Sequence, residues 1–414
     1  MTKLQAVKGT QDFLGEKCAL FNYVVEKAKT VANSFSYQES LFPILEHTEV
    51  FKRSLGDSSD IVSKEMYTFE DRKGRSLTLR PEFTASIVRS IISSGIQKNL
   101  PLKLFSYGPL FRYERPQRGR YRQFHQVNFE YIGNDNPSSD AELISLANHF
   151  LNSLGLKNLK LELNSLGDST TRKNYTEKLV DYFSKYKNDL SEDSKIRLQN
   201  NPLRILDSKD QGDKDIIKSA PLISSVLNKE SKVFFDTLLG YLDGINIGYN
   251  LNESLVRGLD YYTHTVFEFT TDQLGAQNAV LAGGRYNNLI KKMGGDDIPA
   301  VGFASGIERL MELFEGQLPK DRSVNILLFK EEFLLQGLKL SEKIRDRNIR
   351  TNFEVVKNLN KSLKKSFEDN AKFIVFIGEE EAKNNMYKIK DLDSRAEESL
   401  NLDQLINKIN SYEF

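Results

Sequence analysis

Apolar residues early in the chain recur at helical spacing. Leu20, Phe21, Val24, Val25, Ala28, Val31, Ala32 and Phe35 form one stripe and predict an amphipathic helix over about 15–35. Leu41-Phe-Pro-Ile-Leu-Glu46 then reads as a short strand. Pro43 cannot donate to a ladder and suits an edge or an interface. Met66–Phe69 and Ser76–Arg80 read as two strands around the turn Asp71-Arg-Lys-Gly74. Pro81-Glu-Phe-Thr84 predicts a helix start with proline in its first turn, continuing through Ile87, Val88 and Ile91. Ser139-x-x-Glu142 has the form of a capping box before Leu143, Ile144, Leu146, Ala147 and Phe150, with Gly155 as the stop.

From about Asp168 to Leu242 lysine, asparagine and aspartate dominate. Helical segments are expected around Tyr175–Tyr186 and Phe234–Leu242, an insertion interrupting a sheet. Strand patterns return at Leu255-Val256, Thr265–Thr271, Asn278–Ala282 and Ala300–Ala304, and a helix follows from Ser305. Near Ser323 a third region begins with Val324–Phe329. A helix over about 332–346, a strand ending at Val355-Val356, a basic helix with Lys361, Lys364 and Lys365, the apolar strand Lys372–Gly378 and a helix near 402–409 follow. Strands alternating with helices predict a small α/β domain built on parallel pairing.

Composition adds bounds. The 414 residues are enough for two or three domains, and 39% hydrophobic with 28% charged residues describe an ordinary water-soluble chain. No apolar run approaches the ~20 residues of a membrane span. The N-terminal ten residues lack the apolar core of a secretory signal, so cytoplasm is the expected compartment. The single cysteine, Cys18, excludes an intrachain disulfide and a cysteine-cluster metal site. A net charge of +1 gives no hint of nucleic acid, so any such partner must meet locally organised basic groups. The four histidines, His47, His125, His149 and His264, sit in no Ser/His/Asp or metal-ligand pattern.

The chemistry concentrates in three stretches. Between Phe111 and Gly133 a strand bearing Arg112 breaks at Arg115-Pro116, turns through an arginine-dense loop with Gly119, and resumes from Phe124. In that second strand Phe124, Gln126, Asn128 and Glu130 share one face, because strand side chains alternate. Unpaired, such groups would cost roughly 1–3 kcal/mol each to bury, so the row reads as the floor of a pocket for a small polar ligand beside something phosphorylated. His125 faces the other way and reads as structural. The second stretch is Arg257-Gly-Leu-Asp-Tyr-Tyr-Thr263, in which adjacent tyrosines on an extended segment would face oppositely, leaving only one for a given pocket. The third is Gly302-Phe-Ala-Ser-Gly-Ile-Glu-Arg309, a strand entering a helix through small residues. Ala282-Gly-Gly-Arg-Tyr286 supplies a glycine-rich turn that does not fit a dinucleotide fingerprint.

Together these stretches resemble motif 2, the histidine signature and motif 3 of histidyl-tRNA synthetases, a class II aminoacyl-tRNA synthetase family. The resemblance runs over essentially the whole chain. It implies an α+β catalytic domain with an antiparallel sheet at 1–167 and 243–320, a helical insertion at 168–242, and a C-terminal α/β anticodon-binding domain at 323–414. It implies activation of L-histidine by ATP with Mg²⁺, no organic cofactor and no confident protein metal ligand, then transfer to tRNA(His). A homodimer built on the first helix and the Pro43 strand is also implied. Arg112 and Arg257 would act on the α-phosphate and the substrate carboxylate. Arg112, Arg120, Arg122, Phe124 and Arg309 would bind ATP, with Phe124 under adenine. Glu82, Thr84, Gln126, Glu130, Arg257, Tyr261, Tyr262 and Tyr286 would bind histidine, Glu130 and the Tyr262 hydroxyl each taking a ring nitrogen. Arg115, Gln117 and Arg118 would reach the tRNA acceptor end. Asn287 stands where the family usually has aspartate. The alternative is a non-catalytic, histidine-sensing regulatory paralogue, which generally lacks the C-terminal domain.

Overall fold

The computed structural model describes residues 4–56, 59–116, 119–257, 259, 261–274, 278–319 and 321–412. The chain divides into two compact units, Met1–Gly316 and Gln317–Phe414. In the first, the elements run α1 (Glu16–Ser34), β1 (Gln38–Glu39), β2 (Leu45–His47), α2 (Thr48–Leu55), β3 (Tyr67–Glu70), β4 (Ser76–Leu79), α3 (Thr84–Ser94), β5 (Leu102–Phe111) and β6 (Gln123–Ile132). They continue with α4 (Pro137–Ser153), β7 (Lys160–Ser165), α5 (Ser169–Ser184), α6 (Glu192–Asn200), α7 (Gln211–Ile217), α8 (Lys229–Gly244) and β8 (Asn250–Leu251). The unit closes with β9 (Thr263–Thr270), β10 (Ala279–Arg285), α9 (Leu289–Lys292), β11 (Ala300–Gly306) and α10 (Ile307–Leu313).

An eight-stranded sheet in the order β1-β5-β6-β11-β10-β9-β7-β8 is the frame of this unit. Its centre is antiparallel, and only the edge pairs β1–β5 and β7–β8 are parallel. The two faces bury different things. On β6 the odd residues Val127, Phe129 and Tyr131 join Phe267 and Phe303 in an apolar layer covered by α1, α4 and α10. The even residues face the opposite way, toward a second cluster that holds α3, Tyr175, Leu179 and Phe183 of α5, and Tyr261, Tyr262 and Tyr286. α5 thus shares its apolar packing with Tyr261, Tyr262 and Tyr286, whereas α8 buries Leu238 and Leu242 in the first layer.

In the second unit, β12 (Ser323–Leu328), α11 (Leu334–Arg345), β13 (Thr351–Val355), α12 (Leu359–Glu368) and β14 (Ala371–Ile377) alternate. They are followed by α13 (Glu379–Asn384), β15 (Met386–Asp391), β16 (Glu397–Asn401) and α14 (Leu402–Asn410). The sheet order is β13-β12-β14-β15-β16. The first three strands are parallel as expected, but β15 and β16 add an antiparallel hairpin that the apolar pattern does not signal.

Local differences have physical causes. No strand spans Leu41–Glu46: β1 and β2 lie on either side of an irregular link whose Phe42 carbonyl accepts from Arg80 (2.7 Å). Leu255-Val256 is likewise outside the sheet, and the short strand lies at β8 instead. α3 starts at Thr84, after Pro81, because the Glu82 carboxylate accepts from the Thr84 and Ala85 amides at 2.6 and 2.7 Å. α4 starts at Pro137 with Asn136 as its cap, accepting from the Ser138 amide at 2.9 Å, so Ser139 lies inside the helix.

Candidate active site

A cavity of about 930 Å³ opens on the polar face of the sheet, and Phe124, Gln126, Asn128 and Glu130 all line it. Glu130 is the most constrained group. Thr84 Oγ1 and the Tyr286 hydroxyl donate to its two oxygens at 2.7 and 2.5 Å, and Asn128 Nδ2 donates at 3.1 Å. Burial pushes this carboxyl up to about 7, against the pull of its three donors. Space for it comes from the neighbouring strand. Gly302 is its register partner, and a Cβ at that position would stand 1.5 Å from Glu130 Oε2. Gly302 in turn faces Gly284 of β10.

Glu82 lines the cavity while capping α3, and burial raises its carboxyl despite the two amide bonds and nearby Arg112. Arginines line much of the rest of the space. Arg112 donates through Nε to the Pro81 carbonyl (3.0 Å) and lies 5.2 Å from the Phe124 ring centroid. Arg309 donates to the Ala279 carbonyl (2.7 Å); burial foremost, and then Arg120, lowers its pKa. Arg120 pairs with Glu114 (3.1 Å), and Arg257 pairs with Glu268 (3.4 Å). This cluster fits a polyanion held beside a small zwitterion with a polar side chain.

Two comparisons settle the family. A family model described as Histidyl-tRNA synthetase matches residues 9–310, and one described as Anticodon binding domain matches residues 323–412. The chain belongs to the histidyl-tRNA synthetase family. It is 49% identical to the histidine–tRNA ligase of Rickettsia bellii over 98% of both chains. It is 50% identical to that of Wolbachia pipientis wMel, covering 98% of this chain and 99% of the relative. Among solved structures, apo S. aureus histidyl-tRNA synthetase superposes with a TM-score of 0.82 at 34% identity, covering 98% and 100% of the two chains. An ATP phosphoribosyltransferase regulatory subunit/histidyl-tRNA synthetase from Bacillus halodurans shares the fold, with a TM-score of 0.65 at 22% identity over 90% and 97%.

Within this histidyl-tRNA synthetase family frame, most sequence-predicted residues meet at the cavity. Glu82, Thr84, Arg112, Arg120, Phe124, Gln126, Glu130, Arg257, Tyr261, Tyr262, Tyr286 and Arg309 all line it. Both adjacent tyrosines are there, contrary to the alternation argument, with ring centroids 4.7 Å apart. They precede β9 and are not part of a strand, so strand alternation does not govern them. Arg122 is not among the residues lining the cavity; its backbone amide donates to the Gly9 carbonyl and its guanidinium lies over Tyr113 at 4.0 Å. Arg115 is exposed and is not among the residues lining the cavity, and Gln117 and Arg118 lie outside the described residues. His125 is tied to Glu308 (2.8 Å) and packed between Phe13 and Phe21, in keeping with a structural part. Asn287 accepts from the buried Arg285 at 3.2 Å, whose other bonds anchor it to Asp140 and Ser139.

Several cavity residues escape sequence reasoning. Asn128 stands in the polar row, but nothing in the sequence gives it a part of its own. Gly302 could have been found, since a glycine in a strand marks close approach. Arg197 of α6, and Arg204 and Lys209 between α6 and α7, also line the cavity, and Arg204 pairs with Asp60 at 2.7 Å. Nothing local in a charged helical segment signals that approach. Among the described residues no cluster of three or more His, Cys, Asp or Glu could hold a metal, and no helix is long and apolar enough to cross a membrane.

Proposed function

We propose that this chain is a histidine–tRNA ligase that forms histidyl-adenylate from L-histidine and ATP and transfers the histidyl group to the 3′ end of tRNA(His). The observation that carries the reading is the caged Glu130 carboxylate at one end of the polar row, with Phe124, Arg112 and other guanidinium groups about the same cavity. An imidazole N–H would complete the acceptor set of Glu130, with a tyrosine hydroxyl for the other ring nitrogen. Glu82, Thr84 and Gln126 would take the α-ammonium. A site that hydrogen-bonds the ligand's own polar groups rejects analogues without them by about 10⁴–10⁵-fold, so histidine needs no editing step.

The chemistry asks little proton transfer of the protein. The histidine carboxylate, already ionised, attacks the α-phosphorus of ATP, the bond to the bridging oxygen breaks, and pyrophosphate leaves. Arg112 and Arg257 would align the carboxylate and stabilise the added charge at phosphorus. Arg309 would hold the far end of the nucleotide, and Phe124 would stack under adenine. In the second step a ribose hydroxyl at the tRNA 3′ end attacks the activated carbonyl and AMP leaves. Mg²⁺ would be held chiefly by ATP phosphates and water, screening their charge. A homodimer and a cytoplasmic location fit the same reading.

The regulatory alternative is disfavoured by the second unit, matched as an anticodon-binding domain, and by the arginines lining the cavity. Pyrophosphate exchange measured with each amino acid tests the proposal. Exchange should depend on histidine, and Arg257→Ala should lower it roughly 10²–10³-fold without unfolding. Exchange with another amino acid, or none with any, would overturn the reading.

A further inference from the structure

β9 buries Phe267 and Phe269 in the apolar layer, and alternation sends Glu268, between them, to the cavity side of the sheet. Its register partner on β10 is Ala282, which lines the cavity. A mostly buried carboxylate there needs a counterion, because an unpaired buried charge is strongly destabilising. The Glu268 side chain is 15% exposed and its Oε2 lies 3.4 Å from Nη1 of Arg257, itself 22% exposed. Burial raises the Glu268 carboxyl, and Arg257 is the largest influence opposing that rise.

Arg257 precedes β9 in a segment without helix or strand, so its backbone does little to fix a long, rotamer-rich side chain. Its Nε is buried without a hydrogen-bond partner. A carboxylate on one terminal nitrogen would fix the plane of the guanidinium fork and leave its remaining donors for a ligand. Arg112 and Arg309, by contrast, donate to backbone carbonyls at Pro81 and Ala279.

We propose that Glu268 is a positioning residue that holds Arg257 in its reactive orientation for histidine activation. The proposal rests on the activation reading above. Glu268 touches neither substrate; it acts through the arginine, so its removal costs alignment rather than affinity.

The test is a double-mutant cycle in the full-length protein, read by histidine-dependent pyrophosphate exchange. Glu268→Ala should lower kcat roughly 10–100-fold, as expected for a misplaced reacting group. The KM values for histidine and ATP should stay within about threefold, since the lost interaction belongs to the transition state. In an Arg257→Ala background the same change should cost nothing further, because the residue it positions is already gone. A purely structural Glu268 would instead show a full, additive loss in that background together with a lowered melting temperature, and this overturns the proposal. So does a Glu268→Ala enzyme with wild-type kcat. If the alanine variant fails to fold, the near-isosteric Glu268→Gln variant runs the same cycle, and additivity or wild-type kcat overturns the proposal there too. Absence of histidine-dependent exchange in the wild type would remove the functional reading and this proposal together. Additivity with an active wild type removes only the proposal.

Discussion

Three hydrogen bonds converge on Glu130, yet burial still pushes its carboxyl up to about 7. A carboxyl whose folded pKa lies above its unfolded value, roughly 4.3, is penalised when ionised. Its stability cost is absent below the unfolded pKa, grows as pH rises between the two, and is complete above about 7. Ring N–H acceptance requires the ionised form, so the histidine affinity that Glu130 supplies should grow as pH rises through that point. Calorimetric titration of wild type and Glu130→Gln at several pH values checks this, and taking their difference cancels the titration of free histidine. A difference that stays flat from about pH 6 to 8, on either side of that point, would remove Glu130 from the ring contact. Gly302→Ala carries a second expectation. Its Cβ would overlap Glu130 Oε2, so histidine affinity should fall at least about tenfold, with overpacking costing roughly 1–3 kcal/mol in denaturant unfolding. The polar row is legible in the sequence because period two is a property of the strand itself. The tyrosine pair defeats the same rule because its segment leaves the strand. Glu268 escapes notice because an acid between two phenylalanines reads as a solvent-facing position until the cavity beside it is known.

Among the elements, helix starts are the least legible. Proline and capping-box patterns point to helices at 84 and 137 but not to their caps, which depend on where the preceding chain places a carboxylate or an amide oxygen. Asn136→Ala should therefore cost α4 about 1 kcal/mol of stability, measured by urea unfolding. The stretch from α5 to α7 is legible as helical but not as part of the cavity. Its cohesion centres on buried Asp213, which accepts from the Ser191 amide and from the hydroxyls of Ser191, Ser194 and Ser208 at 2.5–2.9 Å. These bonds join the starts of α6 and α7 and flank the segment that carries Arg197, Arg204 and Lys209. Asp213→Ala strands several buried donors at about 1–3 kcal/mol each. Limited proteolysis should then cut within 191–213 much faster than in wild type, while the antiparallel sheet stays protected. Equal cutting rates would mean that the serine cage does not hold the segment.

For the molecule as a whole, separate apolar clusters in the two units give each a core of its own. The boundary is readable from the renewed strand–helix alternation near Ser323. The hairpin of β15 and β16 is not, because its strands are charged, short and partly exposed. In α12, Lys365 pairs with Glu354 at 2.7 Å and Lys364 with Glu368 at 3.7 Å, so these lysines carry partners of their own chain. Removing residues 317–414 should leave histidine-dependent exchange partly intact while tRNA charging collapses and tRNA binding loses salt dependence. Charging at the full-length rate by a folded truncation would contradict the assignment of this unit to tRNA. The cage around Glu130 also bears on how the protein is made. Thr84 and Tyr286 reach Glu130 across 46 and 156 residues of sequence, and the helices α4 to α8 are synthesised between Glu130 and Tyr286. On the ribosome β6 follows its partner β5 but emerges long before its other partner, β11, and the tyrosine that cages its carboxylate. The cage around Glu130 therefore closes only after Tyr286 has been made, and a chain truncated ahead of Tyr286 lacks one of the three donors to that carboxylate.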